Sequence, residues 1–168
     1  MDRPVILIVD DEKNIIKLIT RNLMDDNYRI LTAQNGMQGL AILKQENVDL
    51  VISDHLMPEM SGLEFLRKVK LVYPHIQTIM LTAQNDVETA RKAVDEAGVY
   101  KYFLKPWDEN ELRFSIKQAL DMQNMRLERD RQLQKIKTQN LLYEYFEKKY
   151  PGITKTGNDE QHRENQYT

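Results

Sequence analysis

The sequence predicts an α/β fold: a doubly wound, five-stranded parallel sheet with helices on both faces. Two observations carry that reading. Over roughly residues 4–120, five short apolar runs alternate with amphipathic stretches, a pattern that implies right-handed β–α–β crossovers. The runs are short, rich in β-branched and aromatic residues, and nearly continuous in apolar character, as strands covered on both faces are.

The elements come in order along the chain. Val5-Ile6-Leu7-Ile8-Val9 is the first strand, apolar throughout. Ile15, Ile16, Ile19 and Leu23 then share one helical face. Ile30-Leu31-Thr32-Ala33 is the second strand, and the alternation places a helix after it. Leu50-Val51-Ile52-Ser53 is the third, followed by a helix marked by Leu63, Leu66 and Val69. Ser61-x-x-Glu64 is a capping-box pattern at that helix's start, with Pro58 and Gly62 as the loop and turn before it. Thr78-Ile79-Met80-Leu81 is the fourth strand. Its helix carries Val87, Ala90, Val94 and Ala97, starts at Asn85-x-x-Glu88 and stops at Gly98. Tyr102-Phe103-Leu104 is the fifth strand, and Asp108-x-x-Glu111 caps the last helix.

From Trp107 to Tyr150 there is neither Gly nor Pro, which gives a helix of ~65 Å at ~1.5 Å per residue. Its first turns, with Leu112, Ile116, Ala119 and Leu120, serve as the last helix of the domain. Pro151-Gly152 ends it, and the polar stretch to Thr168 reads as a disordered tail. The chain is thus a domain over 1–120, a helical extension over 121–150 and a tail over 151–168.

Composition removes several classes of function. Of 168 residues 41% are hydrophobic, enough for one core, and no run approaches the ~18 apolar residues of a membrane span. With no cysteine there is no disulfide, no thiolate metal site and no Cys nucleophile. His55, His75 and His162 are scattered, and His55, next to Asp54, reads as a surface residue pointing away from it. A net charge of −2 gives no support to nucleic-acid binding. A start of Met1-Asp2-Arg3-Pro4 does not fit a secretory signal, so the expectation is a soluble, cytoplasmic protein.

Parallel sheets bind ligands beyond the carboxyl ends of their strands. Asp10-Asp11 follows the first strand, Ser53-Asp54 the third, Thr82-Ala83 the fourth and Lys105-Pro106 the fifth. Three carboxylates, a hydroxyl and an ammonium therefore converge on one rim. Three carboxylates at such range need a cation, and hard oxygen ligands suit Mg²⁺. Asp54, on the central strand, is the nucleophile candidate, and carboxylates form acyl-phosphates in this way. A lysine and a metal beside it suit a transferring phosphoryl group. Two other readings stand beside this one. A phosphatase-like hydrolase would want an acid two residues after Asp54, where Leu56 stands. A pure dimerisation or scaffold module would bind no Mg²⁺.

Val9-Asp10-Asp11-Glu12, Ser53-Asp54-His55-Leu56-Met57-Pro58-Glu59-Met60-Ser61-Gly62, Leu81-Thr82-Ala83 and Phe103-Leu104-Lys105-Pro106-Trp107 resemble the signature stretches of bacterial two-component response regulator receiver domains, over residues 4–120. The resemblance implies strand order 2-1-3-4-5, an order receivers share with flavodoxin. It implies that Asp54 accepts a phosphoryl group from a partner histidine kinase or phosphotransfer protein. Asp11, Asp54 and the Leu56 carbonyl would ligate Mg²⁺, with Asp10 acting mostly through water. Thr82 and Lys105 would contact the phosphoryl oxygens, with the small Ala83 keeping the phosphoryl pocket open. Tyr102 occupies the place of the aromatic switch that moves with Thr82. Lys105-Pro106 would be cis. Leu56 and Gln84 flank the pocket, and an apolar Leu56 implies slow or moderate loss of phosphate.

Beyond the domain the helix has two broken seams. Ile116, Leu120 and Leu127 are interrupted by Gln123, Asp130 and Gln134; Leu133, Ile136, Asn140 and Tyr143 have heptad spacing in another register. Residues 121–150 carry seven Lys or Arg against five Asp or Glu, a solvated face and too mild a charge for DNA. Leu141-Leu142-Tyr143-Glu144-Tyr145-Phe146 is an apolar patch that wants a partner, either a second copy in a weak dimer or a downstream effector domain.

Overall fold

The computed structural model describes residues 3–83 and 87–153. The elements are β1 (Val5–Val9), α1 (Lys13–Asn22), β2 (Arg29–Ala33), α2 (Gly36–Gln45), β3 (Leu50–Asp54), α3 (Gly62–Val72), β4 (Gln77–Ala83), α4 (Val87–Ala97), β5 (Lys101–Lys105) and α5 (Glu109–Lys149). All strands are parallel, in the order β2-β1-β3-β4-β5. The order reverses between β1 and β3, which places a ligand crevice at their carboxyl ends.

Strand alternation sorts side chains onto two cores. Val5, Leu7, Val9, Val51 and Met80 face one way and pack with Leu43, Phe65, Leu66, Val69 and Ala97 of α2, α3 and α4. Ile6, Ile8, Leu50, Ile52, Ile79, Leu81 and Phe103 face the other way and pack with Ile19 of α1, with Leu23 just beyond it, and with Leu112, Ile116, Ala119 and Leu120 of α5. β1 and β3 are buried at every position, whereas β2, on the edge, is only partly covered.

Among the described residues, side-chain caps start three helices. Ser61 Oγ accepts from Glu64 N–H at 3.2 Å, and Asp108 Oδ1 from Glu111 N–H at 2.8 Å. α2, for which no sequence signal was identified, has one too: Asn35 Oδ1 accepts from Gln38 N–H at 2.8 Å, and Gln38 Oε1 reaches back to Gln34 N–H. Gly98, just past α4, takes a φ of 62°, the left-handed turn that ends a helix. Asn85, Gln84, the Val87 and Ala90 side chains, and residues 154–168 with His162 lie outside the described residues.

Three readings are corrected. His55 is buried, not on the surface: its N–H donates to Leu81 C=O at 2.8 Å, extending β3, and the returning Gly62 N–H closes on its carbonyl at 2.7 Å. Strand alternation does turn it from Asp54, but that face is covered. Val94 is exposed rather than on the packed side of α4. Gln123 does not interrupt a seam; it is the last buried residue of α5, with Nε2 3.5 Å from Asp49 Oδ1.

The chain forms two compact units that divide after Asn124. In the second, none of residues 125–153 is buried. Among the described residues no helix is long and apolar enough to cross a membrane.

Candidate functional site

Each polar group at the rim is delivered by the end of a strand. Asp10 directly follows β1, Asp54 ends β3, Thr82 and Ala83 end β4, and Lys105 ends β5. Register fixes their neighbours: Asp54 pairs with Leu81, Thr82 with Leu104, and Ala83 with Lys105. Carboxylate oxygens of Asp10, Asp11 and Asp54 all lie within 4.8 Å of one another. Asp10 and Asp54 are buried, and Asp11 is exposed.

Lys105 is the cation of this cluster. Its Nζ stands 2.7 Å from Asp54 Oδ1, 3.6 Å from Asp10 Oδ2 and 3.8 Å from Glu12 Oε1. Burial alone would lower its pKa, yet the hydrogen bond to Asp54 and the charges of Asp54, Asp10 and Glu12 hold the ammonium above its ordinary range. Burial pushes the Asp10 carboxyl up to about 6, and the charges of Asp54 and Asp11 push the same way. The Glu12 N–H, donating to Asp10 Oδ1 at 2.8 Å, and the Lys105 charge oppose that rise.

Two buried atoms of this rim make no hydrogen bond among the described residues: Asp10 Oδ2 and Thr82 Oγ1. A buried polar atom left so costs about 1–3 kcal/mol, which a bound ligand can recover. A lone Asp10 acceptor, two further carboxylates and a hydroxyl are hard oxygen donors, so the residues present fit Mg²⁺ and a phosphoryl group.

The remaining predicted residues surround this centre. The Leu56 side chain is exposed on the loop that leaves Asp54. Tyr102 is half-buried and pairs with Met80, so it lies on the same sheet face as Thr82, two residues below its level. Lys105-Pro106 is cis. An apolar cavity of about 330 Å³ opens beside Lys105, lined by Ile15, Leu18, Pro106 and Trp107. Two contributors were not read from the sequence as part of the site. Glu12 adds a third acid, an exposed one, to Lys105. Gly62 passes so close to Asp54 that a Cβ there would stand 1.9 Å from the Asp54 carbonyl oxygen.

Fold and rim together define a CheY-like signalling domain, with an acidic pocket at the switch point of a 2-1-3-4-5 sheet. Comparison with known proteins agrees. Residues 6–117 match the family model of the response regulator receiver domain. The chain is 37% identical over 116 residues to the transcriptional regulatory protein GlrR of Escherichia coli K12, covering 69% of this chain and 26% of GlrR. It is 34% identical over 119 residues to sporulation initiation phosphotransferase F of Bacillus subtilis 168, covering 71% of this chain and 95% of that protein. The solved signal receiver domain of an HD domain-containing protein from Pseudomonas fluorescens Pf-5 superposes with a TM-score of 0.73 at 36% identity, covering 77% of this chain and 95% of that one. The chain therefore belongs to the receiver domain family of two-component response regulators, which signal by phosphorylation. It spans about a quarter of the length of GlrR and of the hydrogenase transcriptional regulatory protein HoxA of Cupriavidus necator.

Proposed function

We propose that Asp54 accepts a phosphoryl group from a phosphohistidine on a sensor histidine kinase or phosphotransfer protein, with Mg²⁺ as cofactor. One observation carries this: a buried carboxylate held at 2.7 Å by Lys105, inside a cluster of three acids. Asp11, Asp54 and the Leu56 carbonyl would hold the metal, with Asp10 acting mostly through water. Bound there, Mg²⁺ supplies positive charge to the phosphoryl oxygens.

A carboxylate oxygen of Asp54 attacks phosphorus, the bond to the donor's histidine nitrogen breaks, and the imidazole leaves with the electron pair. Lys105 then stabilises the phosphoryl charge, and Ala83 leaves room for it. The Thr82 hydroxyl, with no partner of its own among the described residues, turns to a phosphoryl oxygen. That movement frees space into which Tyr102, on the same sheet face, swings. The change passes through the domain surface and α5 to a second copy or to an effector domain; the greater length of the matching transcriptional regulators supports the latter. By its family, the chain works in the cytoplasm as a signalling domain whose only chemistry is on itself.

Incubation with Mg²⁺ and a small acyl-phosphate donor tests the reading by intact mass. One phosphoryl adduct is expected, absent in Asp54→Asn and absent with a chelator. An adduct that survives Asp54→Asn removes Asp54 as acceptor.

A further inference from the structure

The loop between β3 and α3 leaves Asp54 and returns beneath it. Its ends are pinned by the Gly62 N–H donating to His55 C=O at 2.7 Å and by the close passage of Gly62 under Asp54. Between the pins there is neither helix nor strand. Glu59 takes a left-handed φ of 68°, and the Met60 N–H donates to Pro58 C=O at 2.7 Å, a tight three-residue turn. A residue other than glycine holds such a conformation only when its surroundings impose it.

Little of that constraint comes from the loop's outer residues. Leu56, Pro58 and Glu59 are exposed, and Met57 is half-buried, packing partly against the core. Met60 is the one residue of the tip that is buried, at 7% exposure. Its side chain lies over Gly36, the first residue of α2. A Cβ at Gly36 would meet Met60 Sδ at 2.8 Å, Cγ at 3.4 Å and Cβ at 3.5 Å. Gly36 has no left-handed φ, so its missing side chain serves this contact and not the backbone. An unbranched thioether suits such a shallow notch.

We propose that Met60 is a positioning residue for the acceptor site: seated against Gly36, it holds the β3–α3 loop, and with it the Leu56 carbonyl, in the conformation that Mg²⁺ binding requires. This rests on the Mg²⁺ reading given under Proposed function. α2 thereby becomes part of the site's support although it contributes no group to the rim. Gly39, one turn further along α2, provides an internal control. A Cβ there would lie 2.9 and 3.0 Å from the Phe65 ring and 3.3 Å from Val9, in the core and away from the loop.

The test is a calorimetric Mg²⁺ titration of the full chain, with a thermal melt of each variant. Met60→Ala is expected to weaken Mg²⁺ binding about tenfold, the scale of losing an outer-shell support. Gly36→Val, which displaces Met60, should do the same. Met60→Leu should stay within about twofold, as a volume-conserving swap. Gly39→Ala should lower the melting temperature and leave Mg²⁺ affinity unchanged. If the wild type takes up no Mg²⁺, the reading of the metal site fails and this inference falls with it. If the wild type binds and Met60→Ala binds equally well, only the positioning role is overturned. If Gly39→Ala weakens Mg²⁺ as much as Met60→Ala, the effect is general loosening and the role is again overturned. Should Gly36→Val fail to fold, the Met60 pair decides.

Discussion

From Leu112 to Gln123, α5 buries a side chain at almost every three- or four-residue step; from Met125 to Lys149 it buries none. Both stretches are rich in the same helix formers and both are helical. What separates them is spacing. Leu112, Ile116, Ala119, Leu120 and Gln123 make one continuous stripe, whereas Leu127, Leu133, Ile136, Asn140 and Tyr143 make a broken one. The first stretch is also tied down laterally: Arg113 pairs with Asp26, and Ser115 accepts from Lys101. The second carries local surface contacts such as Gln132 to Glu128 and Arg131 to Glu128, each worth a few tenths of a kcal/mol. Propensity is enough to write a helix, but a buried face is what gives it a place.

The sharpest way to probe the packed side of this comparison is where it has no slack. At Gly62, a Cβ would meet the Asp54 carbonyl oxygen at 1.9 Å, its carbon at 2.8 Å and His55 Cα at 2.9 Å. All three are backbone, so no side chain can rotate away. Gly62→Ala should cost about 3 kcal/mol in urea denaturation, the upper end of overpacking in a close-packed interior. A loss below about 1 kcal/mol would mean that the loop yields.

That contact also marks where the sequence stops being legible. The five strands were readable because apolar runs must be covered, and the rim residues because strand ends share one edge. β1 matches its apolar run, and the other four strands run one or two residues further than theirs: β4 reaches Ala83 because Thr82 and Ala83 still pair with β5. Gly62 was readable as a turn, but the carbonyl it passes under is a property of the packed loop. His55 was turned from Asp54 by alternation, yet its burial is a property of the packed chain, not of its neighbours in sequence. Gln123 finds Asp49 across 74 residues, a distance at which a polar residue on a helix looks like a break. Glu59 carries no local signal for its left-handed φ, since Gly or Asn are the residues that announce one.

The second effect in size has the opposite sign. Asp10 is fully buried with its pKa raised to about 6, above the ordinary 3.8, chiefly by burial. A carboxyl raised on folding favours its protonated form in the folded chain. Its contribution is therefore lost as pH rises from about 4 to about 6, and stays lost above that. Without Mg²⁺, Asp10→Asn should stabilise the chain at pH 7 by about 1–3 kcal/mol. The gain should vanish near pH 4. Equal stability of both forms at pH 7 would show the carboxylate to be fully compensated.

Third is the junction between the two stretches. Asp49 Oδ2 accepts from Val5 N–H at 2.8 Å while Oδ1 faces Gln123, so the last buried turn of α5 is joined to the starts of β1 and β3. A chain ending at Asn124 should keep the melting temperature of the full chain. One ending at Asp121 should lose about 1 kcal/mol, one buried hydrogen bond with its packing. Equal melting of both would move the end of the packed stretch back to Leu120.

The smallest effect falls on the exposed stretch and asks what the helix is for. Ile136 is 51% exposed and Leu133 48%. Ile136→Asp should change the stability of the dilute chain by less than about 0.5 kcal/mol, as expected at an exposed position. If a second copy covers the Leu133–Tyr143 seam, the same substitution acts on assembly instead. Sedimentation of the full chain should then show a weak dimer that Ile136→Asp disperses while the dilute melting curve stays put. A concentration-independent monomer in both would remove the second copy as partner and leave the exposed Leu141–Phe146 patch to an effector domain.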